Sequence, residues 1–207
     1  GRLQKGSGPR SLPSPVDRDI VIGNVSDATP ADIEKAAHRA AQAQPAWDAL
    51  GGIGRARILR AMGDALESDM DRLIALLARE GGKTLNDGVA EVREAVDFCR
   101  YYATLAEKQF SGLETLKGPV GETNQLELRG RGIFACISPW NFPLAIFTGQ
   151  IAAALAAGNA VLAKPAEQTP FVAAEAVRLF HQAGLDPDLL ALLPGDGASA
   201  EELLASA

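Results

Sequence analysis

Through much of the first half of the chain, apolar residues recur every three or four positions, which predicts a layer of amphipathic helices. Thr29, Pro30 and an acid at position 32 form a typical helix start, with a side-chain cap followed by proline in the first turn. The predicted helices run from Thr29 to about Gln44, from after Gly54 to about Gly81 as one helix or two joined near Ser68, and from about Leu85 to Phe110.

The second half alternates short apolar runs with helical segments, a pattern typical of a β-α-β-α-β unit with a parallel sheet. The predicted strands are Ile133–Ile137, Ala160–Ala163 and Leu189–Leu193. Because the first of them is apolar throughout, we expect it to be buried on both faces. Gly158 is predicted to end the first intervening helix in the left-handed conformation, and Thr169 with Pro170 to cap the second.

These patterns predict the α/β class, with a helical layer followed by an incomplete Rossmann-like parallel sheet. The Gly-, Ser- and Pro-rich start is predicted to be an extended or loose segment that serves as a linker or entry arm. Val16–Val25 is predicted to contain a short edge strand. The alternation in 118–130 predicts extended, oligomerisation-type strands. The expected divisions are 1–15 for the linker, 16–117 for the helical part, 118–130 for the extended part and 131–207 for the Rossmann-like part.

Composition and charge argue against several classes of function. The formal net charge is −6, with 20 Lys and Arg against 26 Asp and Glu, which argues against nucleic acid as a partner. No apolar run reaches the roughly 20 residues of a membrane-spanning helix. The two cysteines have neither disulfide-framework nor zinc-ligand spacing, so we expect a cytoplasmic protein without a metal site. Since the chain starts with Gly, we expect it to be a piece of a longer protein.

Ligands of parallel sheets bind beyond the carboxyl ends of the strands, where two polar turns are predicted at 138–143 and 164–168. The first contains Asn141, whose amide could donate to an oxyanion during addition to a carbonyl. The competing interpretation is that Asn141 caps the helix that follows. The spacing of residues alone favours the cap.

The second turn contains Lys164 and, three residues later, Glu167. A carboxylate can accept from both hydroxyls of a ribose, and an ammonium can bind a hydroxyl or a phosphate. A solvated strand end explains the same pair without a ligand. The glycine fingerprint of dinucleotide-binding turns is missing after the first strand, so any dinucleotide must bind by a variant arrangement.

Four other residues are weak candidates for chemistry. Cys136 lies inside an apolar strand, where a thiol behaves as a small hydrophobe with a raised pKa, and Cys99 lies on an apolar helix face. His38 and His181 lie on separate predicted helices without ligand spacing. All four are interpreted as structural residues.

The segments ISPWNFP and AAGNAVLAKPAEQTP resemble the NAD-binding half of the aldehyde dehydrogenase superfamily over about residues 13–199. CISPWNFPLAIFTGQ and GKTLNDGVAEVREAVDFCRYYA look most like the L-glutamate γ-semialdehyde (Δ1-pyrroline-5-carboxylate) dehydrogenase domain of the bifunctional proline utilization A proteins. The resemblance implies NAD-dependent oxidation of L-glutamate γ-semialdehyde to L-glutamate in proline catabolism. FAD would belong only to a proline dehydrogenase domain outside this chain.

The resemblance also implies roles for particular residues and a homo-oligomeric full-length protein. Asn141 would be the catalytic oxyanion donor and Phe142 would lie by the tunnel of the aldehyde substrate. The implied cofactor-binding residues are Ile137, Ser138, Pro139, Trp140, Lys164, Glu167 and Gly197. NAD is favoured over NADP because Glu167 would repel a 2′-phosphate.

In the family, the general-base glutamate and the nucleophilic cysteine lie in segments that would follow Ala207. We therefore expect this chain alone to lack dehydrogenase activity. Two alternatives remain open: another aldehyde dehydrogenase, for example one for succinate semialdehyde, or a truncated, non-catalytic module for nucleotide binding or subunit contacts.

Overall fold

A computed structural model describes residues 8–206, without the side chains of the last two. The helices are α1 (Pro30–Ala49), α2 (Gly51–Ser68), α3 (Met70–Gly81), α4 (Leu85–Gln109), α5 (Ala145–Ala156), α6 (Pro170–Gln182) and α7 (Gly197–Ser206). The strands are β1 (Arg10–Pro13), β2 (Val21–Val25), β3 (Glu114–Leu116), β4 (Asn124–Leu126), β5 (Ile133–Ile137), β6 (Ala160–Lys164) and β7 (Leu190–Leu192). The α/β class and the order of a helical layer followed by a parallel sheet are confirmed. No helix in this part of the chain is long and apolar enough to span a membrane.

The described part of the chain begins with a paired hairpin, whose first strand lies in the predicted linker or entry arm. Strand β1 pairs antiparallel with β2, and the Arg10 side chain donates to the Asp27 carboxylate at 2.9 Å. Within the predicted linker or entry arm, Arg10–Pro13 is therefore extended and paired, while residues 1–7 lie outside the described residues. The Ala28 amide donates to the Pro194 carbonyl at 2.7 Å, which fixes the end of the hairpin to the segment after β7.

Helix α1 starts as predicted but ends later. The Thr29 hydroxyl and the Asp32 carboxylate form a reciprocal capping box, and hydrogen bonding to Thr29 holds the pKa of Asp32 below its usual value. The helix continues through Pro45 to Ala49, beyond the predicted end at Gln44. Tertiary hydrogen bonds support this last part, since Trp47 Nε1 donates to the Leu155 carbonyl at 2.9 Å.

The helical layer packs directly on the sheet layer through one continuous apolar core. Helices α2 and α3 are separate and meet next to Ser68, and α4 packs mainly on α2 and α5. The core includes buried side chains from both layers, such as Leu59, Met62 and Cys99 from the helical layer and Phe147 and Leu162 from the other. The helical layer therefore supports the strands by sharing one core with them.

The three-stranded parallel sheet has the order β5-β6-β7. The central strand β6 is buried at every position. The expectation that β5 is buried on both faces is wrong, because Phe134 and Ile137 are 43% and 36% exposed. Among the described strands β5 pairs only with β6, so it is an edge strand.

Side chains of the helical layer hold α5 at both ends. At its start, Glu91 of α4 accepts hydrogen bonds from the Leu144 and Ala145 amides at 2.8 and 3.3 Å. At its end, the buried Arg55 donates to the Ala156 carbonyl at 3.0 Å. Gly158 follows with φ +89°, as predicted, and a Cβ there would lie 2.3 Å from the Asp48 carboxylate.

A second glutamate from the helical layer binds the first amides of α6. The Glu80 carboxylate of α3 accepts from the Phe171 and Val172 amides at 2.6 and 2.9 Å. Thr169 occupies the N-cap position, but its buried hydroxyl makes no cap bond and has no partner within the described residues. The predicted side-chain cap is therefore replaced by a carboxylate from another helix.

A small antiparallel hairpin pairs Glu114–Leu116 with Asn124–Leu126. Only its second strand lies in the predicted extended part, 118–130, because the first lies at the end of the division predicted as helical, 16–117. The hairpin includes a turn at Gly121, with φ +95°. Leu116, Leu126 and Leu128 all remain more than 40% exposed. An apolar side on an exposed ribbon is the pattern expected of a strand that contacts another subunit.

Candidate functional site

The two polar turns predicted at the carboxyl edge of the sheet begin side by side. Ile137 is the register partner of Lys164, and the Ser138 amide donates to the Lys164 carbonyl at 3.1 Å. The last bond of the β5–β6 ladder therefore joins the first turn to the second. This contact places Ile137 and Ser138 next to the backbone of Lys164.

The first turn presents a polar and aromatic surface. Ser138 is buried, and its hydroxyl has no hydrogen-bond partner within the described residues. Pro139 is half-buried, whereas Trp140 and Phe142 are 58% and 42% exposed. Two prolines, at positions 139 and 143, restrict the backbone of this turn, so its exposed side chains project from a stiff segment.

Asn141 does not cap the following helix. Helix α5 begins four residues later, at Ala145, and its first amides are bound by Glu91. The Asn141 side chain is exposed and makes no hydrogen bond within the described residues. The cap interpretation is therefore wrong, and the amide NH2 is available to a ligand.

Lys164 ends the central strand with its ammonium largely buried. Within the described residues its Nζ donates only to the Pro165 carbonyl, at 3.2 Å, which leaves two N–H groups without a protein acceptor. Burial lowers the pKa of Lys164, and the Glu167, Asp196 and Asp27 carboxylates act in the opposite direction. These carboxylates come from the second turn, from the segment after β7 and from the segment after β2.

The third turn brings Gly197 to the same edge of the sheet. Gly197 is the first residue of α7, and a Cβ built on it would meet no atom within 4 Å. Asp196, just before it, accepts from the Ser199 amide at 3.1 Å, and that bond lowers the pKa of the Asp196 carboxyl. Gly197 therefore offers open backbone at a helix start that already has a side-chain cap.

The structural interpretation of the cysteines agrees with their surroundings. Cys99 and Cys136 are both buried and unpaired, and burial raises the pKa of each thiol to about 12. A thiol with such a pKa is almost entirely protonated at neutral pH and is a poor nucleophile. His38 is exposed, and His181 lies 3.1 Å from the Leu190 carbonyl. Among the described residues no cluster of His, Cys, Asp and Glu side chains could hold a metal ion.

The sequence patterns do not single out three residues that hold the first turn or the helices after the first two turns. These residues are Lys83, Glu80 and Glu91. Lys83 is ion-paired with Glu91, and its Nζ lies 4.1 Å from the centre of the Phe142 ring. A signal for the two acids exists in the sequence. Each falls on the apolar stripe of its helix, Glu80 after Leu73 and Leu77 and Glu91 between Gly88 and Ala95, where an unpaired carboxylate would be costly.

Three turns thus converge on the carboxyl edge of a parallel sheet, the edge at which such sheets bind ligands, and two of the turns carry unsatisfied donors. The chain belongs to the aldehyde dehydrogenase family, whose sequence pattern matches residues 6–207.

Three relatives show which named proteins the chain is similar to and how much of each it covers. The bifunctional protein PutA of Escherichia coli is 48% identical over 184 residues, which are 89% of this chain and 13% of that protein. The 1-pyrroline-5-carboxylate dehydrogenase of Bacillus subtilis is 36% identical over 92% of this chain and 37% of that enzyme. The crystal structure of Bdellovibrio bacteriovorus PutA inactivated by N-propargylglycine matches 99% of this chain and 21% of that one, at 32% identity with a TM-score of 0.92. The chain thus spans only a small part of these proteins.

Proposed function

We propose that this chain provides the NAD-binding part and the oxyanion donor of an enzyme that oxidises L-glutamate γ-semialdehyde to L-glutamate. The observation behind this proposal is the buried Lys164 ammonium, with two N–H groups unpaired, at the sheet edge beside the turn of Asn141. Family membership supports the oxidation of an aldehyde. It also supports NAD(P) as the cofactor, because aldehyde dehydrogenases generally use it.

The cofactor would bind along the carboxyl edge of the sheet. Lys164 and Glu167 would bind the hydroxyls of the adenosine ribose, since they offer free donors and an exposed carboxylate. Ile137, Ser138, Pro139 and Trp140 would line the cofactor from the first turn, and the open backbone at Gly197 would face the adenine. We favour NAD over NADP because a 2′-phosphate would meet the Glu167 carboxylate, with the Asp196 and Asp27 charges also close to Lys164.

The first turn would face the aldehyde. Asn141 would donate a hydrogen bond to the aldehyde oxygen as that oxygen gains negative charge, and the stiff turn would keep the amide in place without reorganisation. Phe142, 42% exposed, would contribute an apolar wall to the substrate tunnel. When bound, NAD would supply the acceptor for the hydride released from the aldehyde carbon after a nucleophile, which we place outside residues 1–207, has added to it.

The substrate is proposed from the relatives, several of which are named 1-pyrroline-5-carboxylate dehydrogenase. Succinate semialdehyde is the competing substrate within the same reaction class. A panel of the two aldehydes, tested on the longest natural form of the protein, separates these possibilities. FAD has no proposed role here and would belong to a proline dehydrogenase part outside residues 1–207.

The exposed β3–β4 hairpin, with its apolar leucines, supports the further proposal that the complete protein is a homo-oligomer. The helical part over 16–117 would serve as the support of the cofactor-binding part, because it supplies the bonds of Glu80 and Glu91 to α6 and α5.

Replacing Lys164 with methionine tests the cofactor site. The lost charge-assisted hydrogen bond should weaken NAD+ binding by about 10- to 100-fold in a calorimetric titration. Lys117→Met, on the exposed hairpin region, is the matched control and should bind like the unsubstituted chain. Equal affinity in both variants would contradict the ribose site. If the unsubstituted chain gave no heat of binding at millimolar NAD+, the remaining interpretation would be a module that serves only in subunit contacts.

The chain by itself should not turn over an aldehyde. Both of its cysteines are buried with thiol pKa values of about 12, so we propose that the nucleophile does not come from residues 1–207. An assay of NADH formation with NAD+ and glutamate semialdehyde should show no signal above the enzyme-free reaction. Turnover that is lost in Cys136→Ser would identify that thiol as the nucleophile and contradict the proposal.

A further inference from the structure

Lys83 lies where α3 ends and α4 begins, and its backbone is held on both sides. Gly82, before it, ends α3 with φ +66°, and the Lys83 amide donates to the Leu77 carbonyl at 3.4 Å. Thr84, after it, caps α4 by accepting a hydrogen bond from the Asp87 amide at 3.2 Å. The Lys83 side chain therefore starts from a backbone position fixed by two helix ends.

From that position the ammonium reaches two groups that hold the first turn. It pairs with the Glu91 carboxylate, which is 1% exposed, and it lies over the face of the Phe142 ring, 4.1 Å from the centroid. A cation over an aromatic face is attracted to it, and more strongly where water is partly excluded. The Lys83 side chain is only 14% exposed, so its ion pair with Glu91 lies away from bulk water, while the Phe142 ring that it faces is 42% exposed.

The two contacts act on the two ends of one short segment. Phe142 is touched by Lys83, while the Leu144 and Ala145 amides are bound by Glu91. Asn141 comes immediately before Phe142 and has no hydrogen bond of its own within the described residues. Besides the two prolines of the turn, the position of its amide therefore depends on how firmly the segment after it is held.

We infer that Lys83 is a positioning residue for the proposed reaction, which orients Asn141 by holding Phe142 and, through Glu91, the start of α5. The inference rests on the proposed function of Asn141 as oxyanion donor. Among the described residues Lys83 forms its ion pair with Glu91 and its ring contact with Phe142, so its effect on the reaction passes through these two residues. A catalytic donor misplaced by about 1 Å can lower a rate as much as 100-fold, which gives this indirect contact its importance.

The two tryptophans of the chain provide a direct test. Trp140 is on the first turn and 58% exposed, whereas Trp47 is 6% exposed and bonded to the Leu155 carbonyl. With 5-fluorotryptophan incorporated, the chain should give two 19F resonances, assigned with Trp140→Phe. We expect Lys83→Met to shift or broaden the Trp140 resonance and leave the Trp47 resonance unchanged. Lys83→Arg, which keeps the cation, should return the Trp140 resonance towards its original position.

Lys83→Met leaves the buried Glu91 charge without its partner, so a second variant keeps the test independent of folding. Lys83→Met combined with Glu91→Gln removes both charges while the glutamine oxygen still accepts from the α5 amides. The same selective change at Trp140 supports the inference. An unchanged Trp140 resonance, or equal changes at both tryptophans, would overturn it.

Kinetics on the longest natural form that oxidises an aldehyde give the second measurement. Lys83→Met should lower kcat by about tenfold and leave KM for the cofactor unchanged, because the ribose site is not involved. An unaltered kcat would overturn the positioning role, while a failure of the proposed function would show separately, as absent NAD+ binding in the unsubstituted chain.

Discussion

Replacing Glu91 with alanine is expected to lower the free energy of unfolding by about 3 to 5 kcal/mol. The substitution removes the acceptor of two buried amides, those of Leu144 and Ala145, and leaves the largely buried Lys83 without its counter-ion. Unsatisfied buried donors and an unpaired charge both destabilise the folded state, and here they occur together. Urea unfolding followed by far-UV circular dichroism measures the change.

Glu94→Ala is the matched control, because Glu94 lies on the same helix and is exposed. It should change the free energy of unfolding by no more than about 0.5 kcal/mol. Glu91→Gln should lie between the two variants, since the amide oxygen still accepts a hydrogen bond while the ion pair is lost. If Glu91→Ala were as stable as Glu94→Ala, the start of α5 would not depend on the carboxylate.

The second large effect is expected at Glu80, where alanine should cost about 2 to 4 kcal/mol. The Phe171 and Val172 amides would lose their acceptor, and Thr169 makes no side-chain cap bond that could replace it. The same urea measurement applies. Asp71→Ala, an exposed acid on the same helix, provides the comparison.

Glu80 should also give the protein a measurable pH dependence. Burial raises the pKa of Glu80 from its usual 4.5 to about 7, against the opposing effect of the two amide hydrogen bonds. Between these values the folded state binds the proton more tightly than the unfolded state, so stability falls as pH rises. This contribution is fully present below pH 4.5 and is lost as pH rises through about 7. The total change is about 3 kcal/mol.

Comparison with Glu80→Gln isolates this effect from the other acids. The difference in free energy of unfolding between the original chain and Glu80→Gln should fall from pH 4.5 to pH 7 and then stay level. Urea titrations at several pH values across this window give the difference directly. A difference that rises with pH would mean that the two amides, which favour the charged carboxylate, outweigh the effect of burial.

Local signals in the sequence were sufficient for most of the helices and strands. The capping pair Thr29 and Asp32, the apolar period of α2 to α4 and the glycine at 158 each depend on neighbours in the chain, and the structure confirms them. The alternation of strand and helix after residue 131 was likewise enough for the order of elements and for a parallel sheet. The two polar turns at the carboxyl edge followed from that topology.

Features that depend on distant parts of the chain could not be predicted in the same way. Helix α1 continues past Pro45 because Trp47 and Gln44 bond to carbonyls more than 100 residues away. Asn141 and Thr169 look like helix caps, yet Glu91 and Glu80 bind the amides that they would have capped. Short-range capping rules cannot find a cap supplied by another helix.

These two glutamates also decide how a dinucleotide can be bound. In many nucleotide-binding folds a diphosphate is held by the free amides at the start of a helix that follows a strand. Here carboxyl groups from other helices occupy that place at the helices after β5 and β6, and Asp196 occupies the start of α7. A diphosphate would therefore find the first amides of these helices already bonded to carboxyl groups. The proposed cofactor should therefore be recognised by its sugar and ring ends, with the diphosphate in solvent or against other parts of the protein.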